Sequence, residues 1–290
     1  MRTLNIIGAG RVGRTLARLW RESGVFDIQD VLDRTPEGAR AAIAFIGSGR
    51  PAGGMESVRA AAVWMLTPPD GKIVPCCEAL AASGSLRAGD IVFHCSGSLS
   101  SAALASAGRL GAFMASVHPL KSFADPGAAV QSFAGTWCAA EGDSAALTVL
   151  RSAFEQIGAR VSEIAPQHKT LYHAASVVVC NYLVALMEAG LRCYEQAGLE
   201  RGTALVMMEP LVRETLDNVF RLGTVPALTG PIARGDDAVV GGHLAALDAW
   251  DPGLGDLYRR LGAVAMELAR KQGEANPETL ARLAERLRSR

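Results

Sequence analysis

The sequence predicts an α/β fold, in which an N-terminal doubly wound parallel sheet is followed by a mostly α-helical domain. Three observations predict it. Short apolar runs alternate with helical periodicity over residues 1–165. A G-x-G-x-x-G sequence follows the first run, and after Pro166 the alternation gives way to long helical stretches. A chain of 290 residues accommodates two such domains, 1–165 and 166–290, each with a core of its own.

The runs 3–7, 28–32, 62–66, 91–95 and 113–117 read as strands buried on both faces, because they are short, apolar and bounded by turn residues. The runs 137–140 and 160–164 are weaker, and the second is expected at a sheet edge. Helical patterns at 12–23, 36–45, 71–82 and 144–157 supply the crossovers that parallel strands require. In the second domain, helices are expected at 168–197, 202–222 and 252–272. The turn-rich GTVPALTGPIARGDD separates the last two, and Asn276-Pro277 opens an amphipathic tail.

Composition narrows the function classes. Apolar residues at 49% and charged residues at 20% describe a folded chain rather than a disordered one. Lysine plus arginine equal aspartate plus glutamate at 29 each, so no global field recommends nucleic acid or an acidic membrane surface as a partner. The opening MRTLNIIGAGRVG has too short an apolar run for a secretory signal. Residues 172–191 are long enough to span a bilayer but carry His173, Ser176, Asn181 and Glu188, each costly in lipid. A buried helix of a soluble domain is the expectation. Six cysteines, at 76, 77, 95, 138, 180 and 193, form no C-x-x-C pair. They are read as reduced thiols of a cytoplasmic protein, with no metal site expected.

Gly8-Ala9-Gly10-Arg11-Val12-Gly13 lies between the first strand and the first helix. The first glycine allows a tight turn, the second lets backbone approach a diphosphate, and the third lets helix pack against strand. The helix N-terminus then offers free N–H groups to phosphate charge. The second strand leads to Asp33, 20 residues past Gly13, the spacing expected of the residue that meets the adenosine ribose. Together these predict a Rossmann-type domain for NAD or NADP. Asp33 suits the 2′-hydroxyl of NAD, whereas Arg34 and Thr35 suit the 2′-phosphate of NADP. NADP is favoured and NAD stays open. Two loops beyond strand ends, at Thr67-Pro68-Pro69-Asp70 and Ser96-Gly97-Ser98, either face the cofactor or are simply turns.

Across nearly its whole length the chain resembles the Rossmann-like proteins that carry a C-terminal domain of unknown function 2520, relatives of the 6-phosphogluconate dehydrogenase-like reductases. The motifs are GAGRVG, TPPD, FHCSGS, SVHPLKSF, FAGTWCAAEGD, YHAASVVVCNYL, LTGPIARGD and GGHLAAL. The resemblance implies a reductase-like cleft, a helical domain that commonly dimerises, and a small-molecule substrate. Some similar proteins look like ketopantoate reductases, which directs attention to 2-oxo acids.

Three groups are candidates for the chemistry. His118, in a His-Pro pair similar to that of prephenate dehydrogenases, is placed to polarise a carbonyl or deliver a proton, or else caps a turn. Lys121 is a candidate carboxylate ligand or a solvated lysine. His173 and Asn181, eight residues apart, fall roughly on one face of a helix and are either catalytic or satisfied in a core. Related reductases place a lysine and an asparagine on that helix, and a histidine is read here in the lysine's place. Thr229, Gly230 and Arg234 form either an anion-binding loop or an interhelical turn. The function expected is hydride transfer between nicotinamide and a small, anionic carbonyl (2-oxo acid, ketopantoate-like) or imine. The alternatives are an NADP sensor without turnover and a prephenate-dehydrogenase-like oxidation.

Overall fold

The computed structural model describes residues 1–288. It divides into two compact units, Met1–Asn181 and Tyr182–Arg290. The division falls further along the chain than 165/166, because the turns after Pro166 remain anchored to the first unit.

The first unit is built on an eight-stranded sheet: β1 (Arg2–Ile7), β2 (Phe26–Leu32), β3 (Arg50–Pro51), β4 (Val63–Leu66), β5 (Ile91–His94), β6 (Phe113–Pro119), β7 (Trp137–Gly142) and β8 (Arg160–Glu163). Their spatial order is β3-β2-β1-β4-β5-β6-β7-β8. Every pairing is parallel except β6 with β7, so the sheet is mostly parallel rather than wholly so. The helices between the strands are α1 (Arg11–Glu22), α2 (Pro36–Ile46), α3 (Ile73–Ala82), α4 (Ala105–Gly108), α5 (Pro126–Gln131) and α6 (Ser144–Gln156), all crossovers between parallel strands except α5, which joins the antiparallel β6 and β7. The strand order reverses between β1 and β4, which opens a crevice at their carboxyl ends.

Strand residues alternate between two apolar layers. Leu4, Ile6, Met65, Phe93, Ala115 and Val117 pack with Trp20 of α1 and Phe154 of α6. Ile7, Trp64, Leu66 and Val92 pack with Ile73, Cys77 and Leu80 of α3. Trp20 also donates its indole N–H to Ala153 O at 2.9 Å, which joins α1 to α6. Asp30, fully buried on β2, receives hydrogen bonds from Arg50 and Arg59 that tie down the short β3. Burial alone would raise its pKa; the two guanidinium partners outweigh that and hold it below the usual carboxylate range.

After β8 the chain enters α7 (Lys169–Ser176), a π turn (Val177–Asn181) and α8 (Tyr182–Gln196). The expectation of a buried helix here is corrected. By length and composition Pro166–Gln196 is apolar enough to cross a membrane, yet only 6% of its most apolar window is buried. The one buried residue of α7 is its lysine. Leu171 and Val179 of the first unit are exposed, as is Val184 near the start of the second.

The second unit continues with α9 (Arg201–Leu222), α10 (Thr224–Ala227), α11 (Gly230–Arg234), α12 (Asp237–Trp250), α13 (Pro252–Gln272) and α14 (Pro277–Arg286). Its core joins Val240 and Leu244 of α12, Met266 and Ala269 of α13, and Leu280 and Leu283 of α14. The sequence signal for α12 is broken by Gly241-Gly242, each costly inside a helix. Packing and the Asp236 cap, which accepts from Val239 N, override that cost.

Candidate active site

The glycine loop closes and opens where a dinucleotide needs it to. Gly8 has φ +84°, a value that favours glycine. A Cβ there would sit 2.8 Å from Pro68 Cα. A Cβ on Gly13 would strike the Thr67 hydroxyl and lie 2.9 Å from Gly8 O. Thr67 locks this contact by donating its hydroxyl to Gly8 O at 2.7 Å. Above Gly10 nothing lies within 4 Å, so the first turn of α1 is open to a ligand. Ala9 is buried beneath the loop, and Arg11 is exposed at the start of the helix with Val12 half-buried behind it.

At the end of β2, Asp33 leans over the first turn of α2, close enough that a Cβ on Gly38 would meet its carboxylate. The Thr35 hydroxyl accepts from Gly38 N at 3.1 Å and caps that helix. Arg34 is exposed and makes no hydrogen bond or ion pair among the described residues, so its guanidinium is available to a phosphate.

The two other loops marked in the sequence are joined by one carboxylate. Asp70 Oδ2 accepts from the hydroxyls of Ser96 and Ser98, each at 2.8 Å. Ser96 Oγ accepts in turn from the N–H groups of Ser98 and Leu99. The TPPD and SGS loops therefore form one edge, with Gly97 at its tip.

Against Gly97 converge two imidazoles. His118, at the end of β6, lies edge-on to His173 of α7, with ring centroids 5.8 Å apart. A Cβ on Gly97 would come within 2.9 Å of His118 Nε2 and collide with His173 Nδ1. His173 Nδ1 is buried and has no protein partner. Such an orphan costs about 1–3 kcal/mol unless something else meets it. Burial, followed by the charges of Lys169 and His173, pushes the His118 pKa down to about 4, with Asp70 opposing. Burial pushes the Tyr172 hydroxyl up to about 12, so it stays protonated. Tyr172 OH lies 3.2 Å from His118 Nδ1. In the tautomer in which Tyr172 donates, Nε2 carries the imidazole proton and faces Gly97.

A lysine does stand on this helix. Lys169 lies one turn before His173. Lys169 is 1% exposed, and Nζ donates to Ser116 Oγ and lies 3.7 Å from Glu141 Oε1. His94, Ser116, Glu141 and Lys169 went unmarked in the sequence. The available signal was a single polar residue in each of three otherwise apolar runs, IVFH, ASV and CAAEG.

The remaining candidates have settings of their own. Lys121 donates to the backbone carbonyl of Ser132 at 2.8 Å. Asn181 is exposed at the end of the π turn, and that turn breaks the α-helical spacing on which a shared face with His173 depended. Thr229, Gly230 and Arg234 belong to the helical unit. Thr229 precedes α11, Gly230 has φ +89°, and Arg234 is exposed in the last turn.

Comparison with known proteins gives a consistent frame. Residues 2–119 match a Rossmann-like domain, and residues 136–265 match the domain of unknown function DUF2520. Protein TM1727 from Thermotoga maritima is 26% identical, with TM-score 0.75 over 93% of this chain and 100% of that one. A putative NADP oxidoreductase, BF3122 from Bacteroides fragilis, is 22% identical, with TM-score 0.72 over 92% and 98%. A reductive aminase from Aspergillus terreus, in complex with NADPH and ethyl levulinate, is 14% identical, with TM-score 0.62 over 99% and 100%. No significant match was found among curated protein sequences.

Proposed function

The chain pairs a Rossmann-like N-terminal domain with a DUF2520 domain, and from that premise we propose that it is a nicotinamide-dependent reductase. It uses NADP and passes hydride to a small C=N or C=O substrate. One observation carries the reading: the same unit holds an open cradle above Gly10 and an orphaned imidazole nitrogen of His173 beside Gly97.

When bound, the cofactor supplies the hydride. The free N–H groups of the first turn of α1 hold its diphosphate. Arg34 meets the 2′-phosphate with its paired donors, while the neighbouring Asp33 keeps a place for the ribose of NAD. His118, neutral near pH 7, donates a hydrogen bond from Nε2 rather than acting as a strong acid. Tyr172 holds the imidazole in that tautomer.

A protonated C=N group asks no proton of the protein, so a neutral imidazole does not limit its reduction. It arrives with its own proton and leaves, after hydride addition, as a neutral amine. A ketone needs a proton on its oxygen as well. The imine branch is therefore preferred over reduction of a ketopantoate-like 2-oxo acid, in agreement with the reductive aminase that shares the fold. Lys121 adds little to the case for an anionic substrate, because its ammonium already serves Ser132.

Fluorescence titration with NADPH and NADH, followed by absorbance assays on cyclic imines and 2-oxo acids including ketopantoate, tests this. We expect NADPH to bind at least tenfold more tightly than NADH and absorbance to fall with an imine. Turnover of 2-oxo acids alone overturns the C=N preference. Tight binding without any turnover favours a nucleotide sensor, and failure to bind either nucleotide rejects the proposal.

A further inference from the structure

A row of polar side chains crosses the sheet at one register. His94 on β5 lies opposite Ser116 on β6, and Ser116 lies opposite Glu141 on β7. All three are buried; His94 and Glu141 are the only polar residues of β5 and β7, and on β6 the other polar residue is His118. The first two are in hydrogen-bond contact with each other, and the third is joined to them through Lys169. His94 Nδ1 accepts from Ser96 N at 3.2 Å and lies 3.3 Å from Ser116 Oγ, while Nε2 faces Ser100 O at 3.1 Å. Lys169 caps the row from α7, bonded to Ser116 and paired with Glu141.

Glu141 is engaged on two sides. Its Oε1 accepts from Ser101 N and its Oε2 from Ser101 Oγ, both at 2.7 Å. Its other partner is the Lys169 ammonium. Burying a carboxylate and an ammonium together seldom stabilises a fold more than an apolar pair of the same volume, so stability alone does not account for the pair. What the pair joins is more informative. Through Ser101 it reaches the loop 96–101, which carries Gly97. Through Lys169 it reaches the first turn of α7, which carries Tyr172 and His173 one turn on. These two segments and His118 are the walls of the candidate site, and at Gly97 they approach so closely that a Cβ would meet both imidazoles.

We propose that Glu141 is a positioning residue, which sets the loop 96–101 and the first turn of α7 against each other so that Gly97, His118 and His173 keep their spacing. No hydrogen bond joins Glu141 to either of those histidines among the described residues; it acts through Ser101 and Lys169. The functional meaning of the spacing rests on the reductase reading above, whereas the clamp itself does not.

The test uses the full chain and the charge-neutral double variant Glu141→Gln/Lys169→Met, which leaves no unpaired buried charge. Hydrogen exchange is followed at 96–101 and 169–176, with α1 and α6 as internal controls. We expect exchange at both segments to rise at least tenfold while the controls stay within twofold. On the best substrate of the panel, kcat falls at least tenfold while the Kd for NADPH stays within threefold, a split that general loss of structure does not produce. The single variant Glu141→Gln, which strands the ammonium, loosens 169–176 more than the double variant does. Unchanged exchange at either segment in the double variant overturns the clamp, as does an unchanged kcat. If the wild-type chain neither binds NADPH nor turns over any substrate, the reductase reading fails and the exchange result alone decides the clamp.

Discussion

His118 shows how little of a residue's chemistry is carried by its identity. A free imidazole titrates near neutrality, but burial beside Lys169 and His173 lowers this one to about 4. It is thereby a neutral hydrogen-bond donor held in register by Tyr172. Replacing it by Gln removes the oriented donor and leaves the cofactor cradle untouched. We expect His118→Gln to lower turnover about 100-fold, equivalent to roughly 3 kcal/mol of barrier, with NADPH affinity within threefold. A stopped-flow single-turnover assay reads the first and a fluorescence titration the second. An unchanged rate would remove His118 from the chemistry.

At the scale of the element, β5 and β6 each place a histidine at or near their carboxyl ends, in a setting that disfavours charge. His94 is lowered to about 4 by burial and then by the charge of Lys169, against the Ser100 carbonyl and Asp70. The unfolded chain protonates both imidazoles near 6.5, so between that pH and about 4 it binds protons that the folded chain refuses. Stability contributed by these groups is complete above pH 6.5 and is lost as the pH falls through this window. The loss is about 3 kcal/mol per histidine when the window has been crossed. Urea denaturation at pH 7 and pH 4.5 checks the sign, and His118→Gln should flatten roughly half of the dependence. Stability that rises on acidification would contradict the burial argument.

At the scale of the whole molecule, the helical unit keeps an apolar surface that its own core does not use. Leu186 of α8, Leu211 of α9, and Leu257 and Leu261 of α13 line one groove, and all four are exposed. Contiguous exposed apolar surface of this kind marks an interface. We propose that a second copy of the chain covers it, as the family resemblance led us to expect. Sedimentation velocity should show a dimer at micromolar concentration, and Leu211→Asp should yield a folded monomer. A monomeric wild-type chain would send the search to another partner.

Much of this architecture was legible in the sequence because local rules determine it. Parallel strands buried on both faces are continuous apolar runs, helix 36–45 opens on the start signal Thr35-Pro36, and the nucleotide loop shows its three glycines. The helix α12 was not legible, since its glycine pair argues against a helix until tertiary packing is added. Nor was the antiparallel course of β7, which depends on how the chain returns after α5. The sequence by itself determined the α/β unit, the glycine cradle, and the positions of Asp33, Arg34 and Thr35, because each depends on spacing along the chain. Only the tertiary structure decided that His118 meets His173 over Gly97, and that Glu141 and Lys169 form a pair beneath them. Those contacts join the loop after β5, the strands β6 and β7, and α7, and their partners are separated by up to 76 positions in sequence, from Gly97 to His173. No local pattern specifies such a meeting; the register of the sheet and the exclusion of water around buried polar groups do.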